Sequence, residues 1–227
     1  MKFIIIGLGN FGSTLAKKLT DMNHEVIGVD NQMEKVEAIK DKINHAVCLN
    51  SKDSAALATL PLHNSDAVIV CIGEDEGASL ITSAHLKKMK VKRLISRSVS
   101  SIHETILEAM GINEIVRPEE ESAFRWARRL TASGFVDSFE LTSNYSIIEL
   151  VVPEKFVGKT IEEVGFNKNY NVIVLTTMRM VKEKNLIGIP KIVKKRSGTA
   201  TASTVLNEGD VMVLYGNNKN LQNIMED

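Results

Sequence analysis

MKFIIIGLGNFG, residues 1–12, decides the fold, together with the acid that follows it at Asp30. Phe3-Ile4-Ile5-Ile6 is a short apolar run rich in β-branched residues that breaks at Gly7, the pattern of a fully buried parallel strand entering a tight turn. The turn has the spacing Gly7-x-Gly9-x-x-Gly12. Each glycine answers a different steric demand: Gly7 allows the bend, Gly9 lets a phosphate approach the backbone, and Gly12 lets the next helix press on the strand. That helix, expected over residues 11–22 with Asn10 and Phe11 at its entry, aims unpaired amides and the positive end of its dipole at the phosphate. A second strand, Glu25-Val26-Ile27-Gly28-Val29, ends on Asp30, about 20 residues on, where a carboxylate can grip ribose hydroxyls. A glycine turn alone is often only a tight connection; the strand before it, the helix after it and the acid beyond make it a nucleotide site. An acid at that place repels a 2′-phosphate, so the expected ligand is an adenine nucleotide with a free ribose.

Composition bounds the rest. The 227 residues suffice for one large or two small domains, and a hydrophobic share of 44% with a charged share of 25% is that of an ordinary globular protein. Lys plus Arg equals Asp plus Glu at 28 each, so no global field recruits nucleic acid or an anionic membrane. Cys48 and Cys71 both lie in apolar stretches that read as strands, and small buried thiols are expected rather than redox or metal roles. The chain opens on a core strand without a signal-peptide pattern, and no apolar run approaches the length of a membrane span. A cytoplasmic location is expected, with a membrane-embedded partner left open.

Taken in order, residues 33–43 carry Met33, Val36, Ile39 and Ile43 at helical spacing, and Ala46-Val47-Cys48-Leu49 reads as a third strand. Asn50-Ser51-Lys52-Asp53 then gives a strand end, a turn and an N-cap; Asn50 and Ser51 either read an adenine edge or simply cap. Residues 67–72 form the most continuously apolar strand, expected to be central, with Ile72 and Gly73 at its ligand-facing end. Glu74-Asp75-Glu76 opens a helix to about residue 89. Lys87, Lys88, Lys90, Lys92 and Arg93 read as a solvated run around a fifth strand, Leu94-Ile95-Ser96, and Arg97 lies just past it on the rim that faces the crevice of a parallel sheet. A helix over 102–110 with its stop at Gly111 and a sixth strand, Glu114-Ile115-Val116, complete a doubly wound α/β domain, residues 1–117.

The sequence then changes character. Residues 118–134 read as a helix and linker: the helix starts with Pro118 and three glutamates, runs to about Ala132 and has no sheet of its own to cover, so its lone Trp126 is expected to dock on a neighbour or a second subunit. Residues 135–227 alternate instead: strands are expected over 137–141, 146–152, 172–179, 191–194 and 211–215, with helices over 160–164 and 220–225. This is a smaller α+β lobe. Residues 197–203 read as a mobile loop.

The order of these parts resembles the RCK (KTN) regulatory subunits of bacterial potassium uptake systems of the Ktr and Trk type. The residues that carry it are Gly7 to Gly12, Asp30, Asn50-Ser51, Arg97, Arg117-Pro118-Glu119, Gly158-Lys159-Thr160-Ile161, and the Asn207-Glu208-Gly209-Asp210 to Tyr215-Gly216 ending. The resemblance implies a Rossmann lobe (TrkA-N), a crossover helix and a C-terminal lobe (TrkA-C). It implies homodimers assembling into an octameric cytoplasmic ring beneath a membrane potassium-translocating subunit, with exchange of ATP, ADP or NAD(H) reshaping the ring and gating the pore. In the Ktr branch the fourth residue of the glycine loop is typically an arginine that meets a terminal phosphate; here it is Asn10. An amide lacks that charge-assisted fork, which moves the expectation from ATP towards NAD or a diphosphate and leaves Arg97 to reach a phosphate. Glu119 resembles the glutamate that holds a divalent cation between paired nucleotides in some members, and reads equally as a first-turn acid. Cyclic di-AMP binds at the C-terminal dimer seam of some members.

No catalytic constellation accompanies the site. His24, His45, His63, His85 and His103 are scattered singly, and neither zinc-ligand spacing nor a P-loop lysine occurs. A ligand sensor is therefore expected rather than an enzyme. The competing readings are an NAD-dependent oxidoreductase, which needs a general acid or base beside the nicotinamide, and a nucleic-acid-binding redox regulator.

Overall fold

A computed structural model describes residues 1–131, 134–184 and 190–226. The chain divides into two compact units, Met1–Glu121 and Ser122–Asp227.

The first unit is built on six parallel strands, β1 (Lys2–Ile6), β2 (Glu25–Asp30), β3 (His45–Cys48), β4 (Ala67–Val70), β5 (Leu94–Arg97) and β6 (Glu114–Val116), in the order β3-β2-β1-β4-β5-β6. Because side chains alternate along a strand, β1 feeds two cores at once. Ile4 and Ile6 pack with Val29, Leu57, Val68, Val70 and Leu86 on one face. Ile5 packs with Ala16, Val26, Ile39 and Ile69 on the other. Helices cover both faces: α1 (Asn10–Asp21), α2 (Met33–Glu37), α3 (Ser54–Ala58), α4 (Glu76–Lys88) and α5 (Ser101–Ala109). Strand order reverses between β1 and β4, the neighbours that carry the glycine turn and the central apolar strand. A crevice must open there, since connections leave the two strands towards opposite faces.

Several expectations are sharpened. The helix expected over 33–43 is a single short α2 followed by a separate 3-10 turn, Lys40–Lys42, so that Val36, Ile39 and Ile43 still reach the core from an irregular backbone. Cys48 is exposed, because it ends β3 at the edge of the sheet, which corrects the buried thiol expected there. Cys71 is buried just past β4, and burial pushes its thiol up to about 12. Arg93 in the basic run pairs with Glu114 on the neighbouring strand, its Nε 2.8 Å from Oε1. Asp53 caps α3 by accepting from Ala55 and Ala56 amides.

The helix α6 (Pro118–Thr131) spans the division between the units, and Phe124, Trp126 and Leu130 along it are 50%, 57% and 79% exposed. The second unit holds an antiparallel sheet of β7 (Phe135–Thr142), β8 (Tyr145–Val151), β9 (Val172–Lys184), β10 (Pro190–Thr199) and β11 (Val211–Asn217), ordered β10-β9-β11-β8-β7. Ile148, Leu150, Met212 and Leu214 on one face pack with Phe156, Phe166, Leu221 and Ile224. The last two belong to α8 (Asn218–Glu226). A short helix, α7 (Ile161–Val164), begins at a capping box in which Thr160 and Glu163 exchange hydrogen bonds and ends at Gly165 in the left-handed region. The loop expected over 197–203 is partly strand: β10 runs to Thr199, the Gly198 carbonyl accepts from Thr176, and Ala200 donates to Leu175 at 3.2 Å.

Candidate functional site

A cleft of about 430 Å³ lies at the carboxyl ends of the first unit's strands, within the range of small-molecule sites. Of the residues singled out in the sequence, Gly7, Gly9, Asn10, Phe11, Asp30, Asn50, Ser51, Ile72, Gly73, Arg97 and Glu119 all line it. Gly12 lies behind the loop: a Cβ there would meet the Gly7 carbonyl oxygen at 1.9 Å, so the first turn of α1 touches the glycine turn directly. Gly7 has φ +98°, and a Cβ on it would sit 2.9 Å from the Ile72 amide. Around Gly9 there is open space, with no atom within 4 Å of a Cβ position. Gly9 is also the N-cap of α1, and no side chain caps the helix. Free amides, a dipole end and room beside them make an anion position.

Asp30 is nearly buried and plays two parts. Its Oδ2 accepts from the Leu8 amide at 2.7 Å and its Oδ1 from the Gln32 amide at 2.9 Å. The carboxylate thus ties β2 to the glycine turn, and the lone pairs that remain are those a ribose could use. Ser51 is held from below by Thr82 of α4, whose hydroxyl donates to it at 2.9 Å. Asn50 accepts from the Lys52 amide at 3.0 Å in a local turn. Asp75 caps α4 through the Ala78 amide at 2.8 Å. Arg97, the last residue of β5, turns its guanidinium into the cleft and pairs with Glu119 of α6.

Other lining residues were not singled out from the sequence: Asn31, Gln32, Lys35, Lys52, Glu74 and Asp75. Two ion pairs join some of them at the rim, Lys35 with Glu74 at 3.5 Å and Lys52 with Asp75 at 3.9 Å. Their common signal was position, since each follows the carboxyl end of β2, β3 or β4. None of the five histidines lines the cleft. Among the described residues no group of three or more His, Cys, Asp or Glu is placed to hold a metal ion. No helix of the described residues is long and apolar enough to cross a membrane.

The strand order, the glycine turn at its switch point and the acid on the adjoining strand place the first unit in the doubly wound class of α/β folds. Residues 3–118 match the TrkA-N domain, and the chain belongs to that family. It is similar to Ktr system potassium uptake protein C of Bacillus subtilis (strain 168), at 30% identity over 95% of this chain and 91% of that protein. A solved structure of the GsuK RCK domain shares the fold with a TM-score of 0.67 at 19% identity, across 99% of this chain and 47% of that longer one. The chain thus spans about half the length of that solved relative. The NAD(P)-binding domain of an exopolyphosphatase-related protein from Archaeoglobus fulgidus is 25% identical with a TM-score of 0.51, over 56% of this chain and 96% of that domain.

Proposed function

We propose that this chain is a nucleotide-binding regulatory subunit of a membrane potassium uptake system, acting without catalysis. The observation that carries this reading is the similarity to Ktr system potassium uptake protein C along nearly the whole of both chains. The cleft supports it, because the matched residues converge on one concave site with an anion position and a ribose-height carboxylate. The likeness of the first unit to an NAD(P)-binding domain supports a nucleotide there, and Asp30 favours one without a 2′-phosphate. Asn10 in the loop favours NAD(H) or ADP over ATP. No histidine in the cleft is available as the acid or base a hydride-transfer enzyme would use, which weighs against that alternative.

In this reading residues 1–117 bind the nucleotide, residues 118–134 form the crossover, and residues 135–227 form the C-terminal lobe, where cyclic di-AMP would sit at a dimer seam. The subunit works in the cytoplasm, held to the inner face of the membrane by its potassium-translocating partner. Self-assembly to dimers and an octameric ring has support in exposed apolar side chains on the neighbouring helices α4 and α5, where Ile81, Ile102 and Ile106 are 45%, 69% and 40% exposed. A divalent cation could join Glu119 only after that carboxylate has left Arg97, and would draw its other ligands from phosphates or from a second copy. Gating requires that the nucleotide bind two arrangements of the assembly unequally.

Two measurements test the proposal. Mass spectrometry of small molecules released on denaturing the purified protein should reveal an adenine nucleotide. Calorimetry should show that Asp30→Asn weakens NAD or ADP by about 1 to 3 kcal/mol, the usual loss when a charged hydrogen bond goes. Unchanged affinity would remove Asp30 from the site.

A further inference from the structure

Arg97 is the most constrained cation in the cleft. Its side chain is only 15% exposed, and it has room because residue 73 is glycine: a Cβ there would stand 2.6 Å from Nη1. The Phe11 ring flanks the guanidinium, 5.8 Å from Cζ to centroid. Nε is sealed from solvent with no hydrogen-bond partner among the described residues, and Nη1 makes a long 3.4 Å contact with the Cys71 carbonyl. Nη2 is the donor left for an anion, and Glu119 Oε1 accepts from it. A charge enclosed in this way requires an opposite one. The Glu119 side chain, by contrast, is 64% exposed, so water can take it back at little cost. Both residues line the same cleft as Gly9 and the uncapped start of α1.

We propose that Glu119 and a nucleotide phosphate compete for the same edge of Arg97, so that binding exchanges one anion for the other and releases Glu119 to solvent. The inference rests on the nucleotide reading above and refines it. The ligand must bring an anionic phosphate oxygen to Arg97, which ranks nucleotides above nucleosides. Each binding event also breaks the contact that ties the first turn of α6 to the end of β5, and α6 is the element that continues into the second unit. Glu119 thus sets affinity by opposing it, and the site reports its occupancy through the same carboxylate.

Calorimetry on the full chain, with ADP and adenosine as probes at physiological salt in EDTA, tests this. Glu119→Gln should bind ADP about fivefold tighter, the scale of a part-exposed ion pair, and bind adenosine as the wild type does. Arg97→Gln should weaken ADP and abolish the gain when combined with Glu119→Gln. The control is Glu120→Gln, which removes the same charge one residue away from a side chain paired with Arg117 instead, and it should leave ADP affinity unchanged. Equal gains in the Glu119 and Glu120 variants would mean that long-range repulsion is all there is, and the exchange would be wrong. So would a Glu119→Gln variant with no gain in EDTA and a loss confined to magnesium-containing buffer, which would make Glu119 a cation ligand. Wild-type protein that binds ADP while Glu119→Gln changes nothing refutes this inference alone; protein that binds neither ADP nor NAD takes the nucleotide reading down with it.

Discussion

Asp30 shows how one side chain serves both fold and site. Since its two oxygens hold the Leu8 and Gln32 amides, Asp30→Ala strands a buried amide, whereas Asp30→Asn keeps one acceptor oxygen. Urea denaturation should therefore find the alanine variant about 2 to 4 kcal/mol less stable than wild type and the asparagine variant in between. His103 makes a second prediction at this scale. It is fully buried on α5, neither ring nitrogen has a hydrogen-bond partner among the described residues, and burial holds its pKa below the ordinary 6.5, partly offset by the Glu76 carboxylate. A histidine kept neutral in the folded state contributes stability above its unfolded pKa and loses it as pH falls towards the folded one. As pH falls below 6.5 the wild type should lose stability relative to His103→Leu, by no more than about 1.4 kcal/mol per pH unit, measured by denaturation at each pH. A flat difference would mean that the folded state accommodates the protonated ring without penalty. The sequence showed His103 only as one of five scattered histidines; its burial comes from the packing of α5.

At the scale of the element, the glycine turn and α1 form one rigid joint. Gly12→Ala would put a methyl group 1.9 Å from the Gly7 oxygen, a backbone atom with no slack, so α1 must shift or the turn must open. Loss of about 1 to 3 kcal/mol is expected in thermal or chemical denaturation, along with a marked loss of nucleotide affinity, although Gly12 does not line the cleft. Strand β1 and the spacing of its glycines were legible because a buried parallel strand is apolar throughout and only glycine fits such a joint. The segment after β2 was harder. Val36, Ile39 and Ile43 have helical spacing, yet the backbone breaks after Glu37, because apolar period reports which side chains are buried and not whether the intervening hydrogen bonds are made. The long reach of β9 and β10 beyond their expected ends, Arg179 and Lys194, was missed for a related reason: strands read from alternation end where charges begin, whereas a hairpin continues as long as its backbones pair.

At the scale of the whole molecule, the two compact units should melt as coupled but distinguishable transitions. A ligand that binds only the first unit stabilises that unit by mass action, about 2.7 kcal/mol at a hundredfold excess over Kd. Scanning calorimetry with saturating ADP should move the transition of residues 1–121 upward and move the other less. A single transition shifted as a whole would mean that α6 makes the units one cooperative body. The cleft belongs wholly to the first unit, and α6, whose Glu119 lines it, continues into the second.

The amino-acid order by itself determined the alternation of strand and helix, the six-plus-five division of strands, the glycine turn and its partner acid, since each follows from local periodicity or from the steric needs of one residue type. Only the tertiary structure decided that Asp30 spends both oxygens on the backbone, that Cys48 faces solvent while Cys71 does not, that Lys35 and Lys52 rim the cleft, and that Arg97 and Glu119 meet. Those are distances between groups far apart along the chain. They are set by how β1, β2, β4 and β5 stack side by side, which no local pattern encodes.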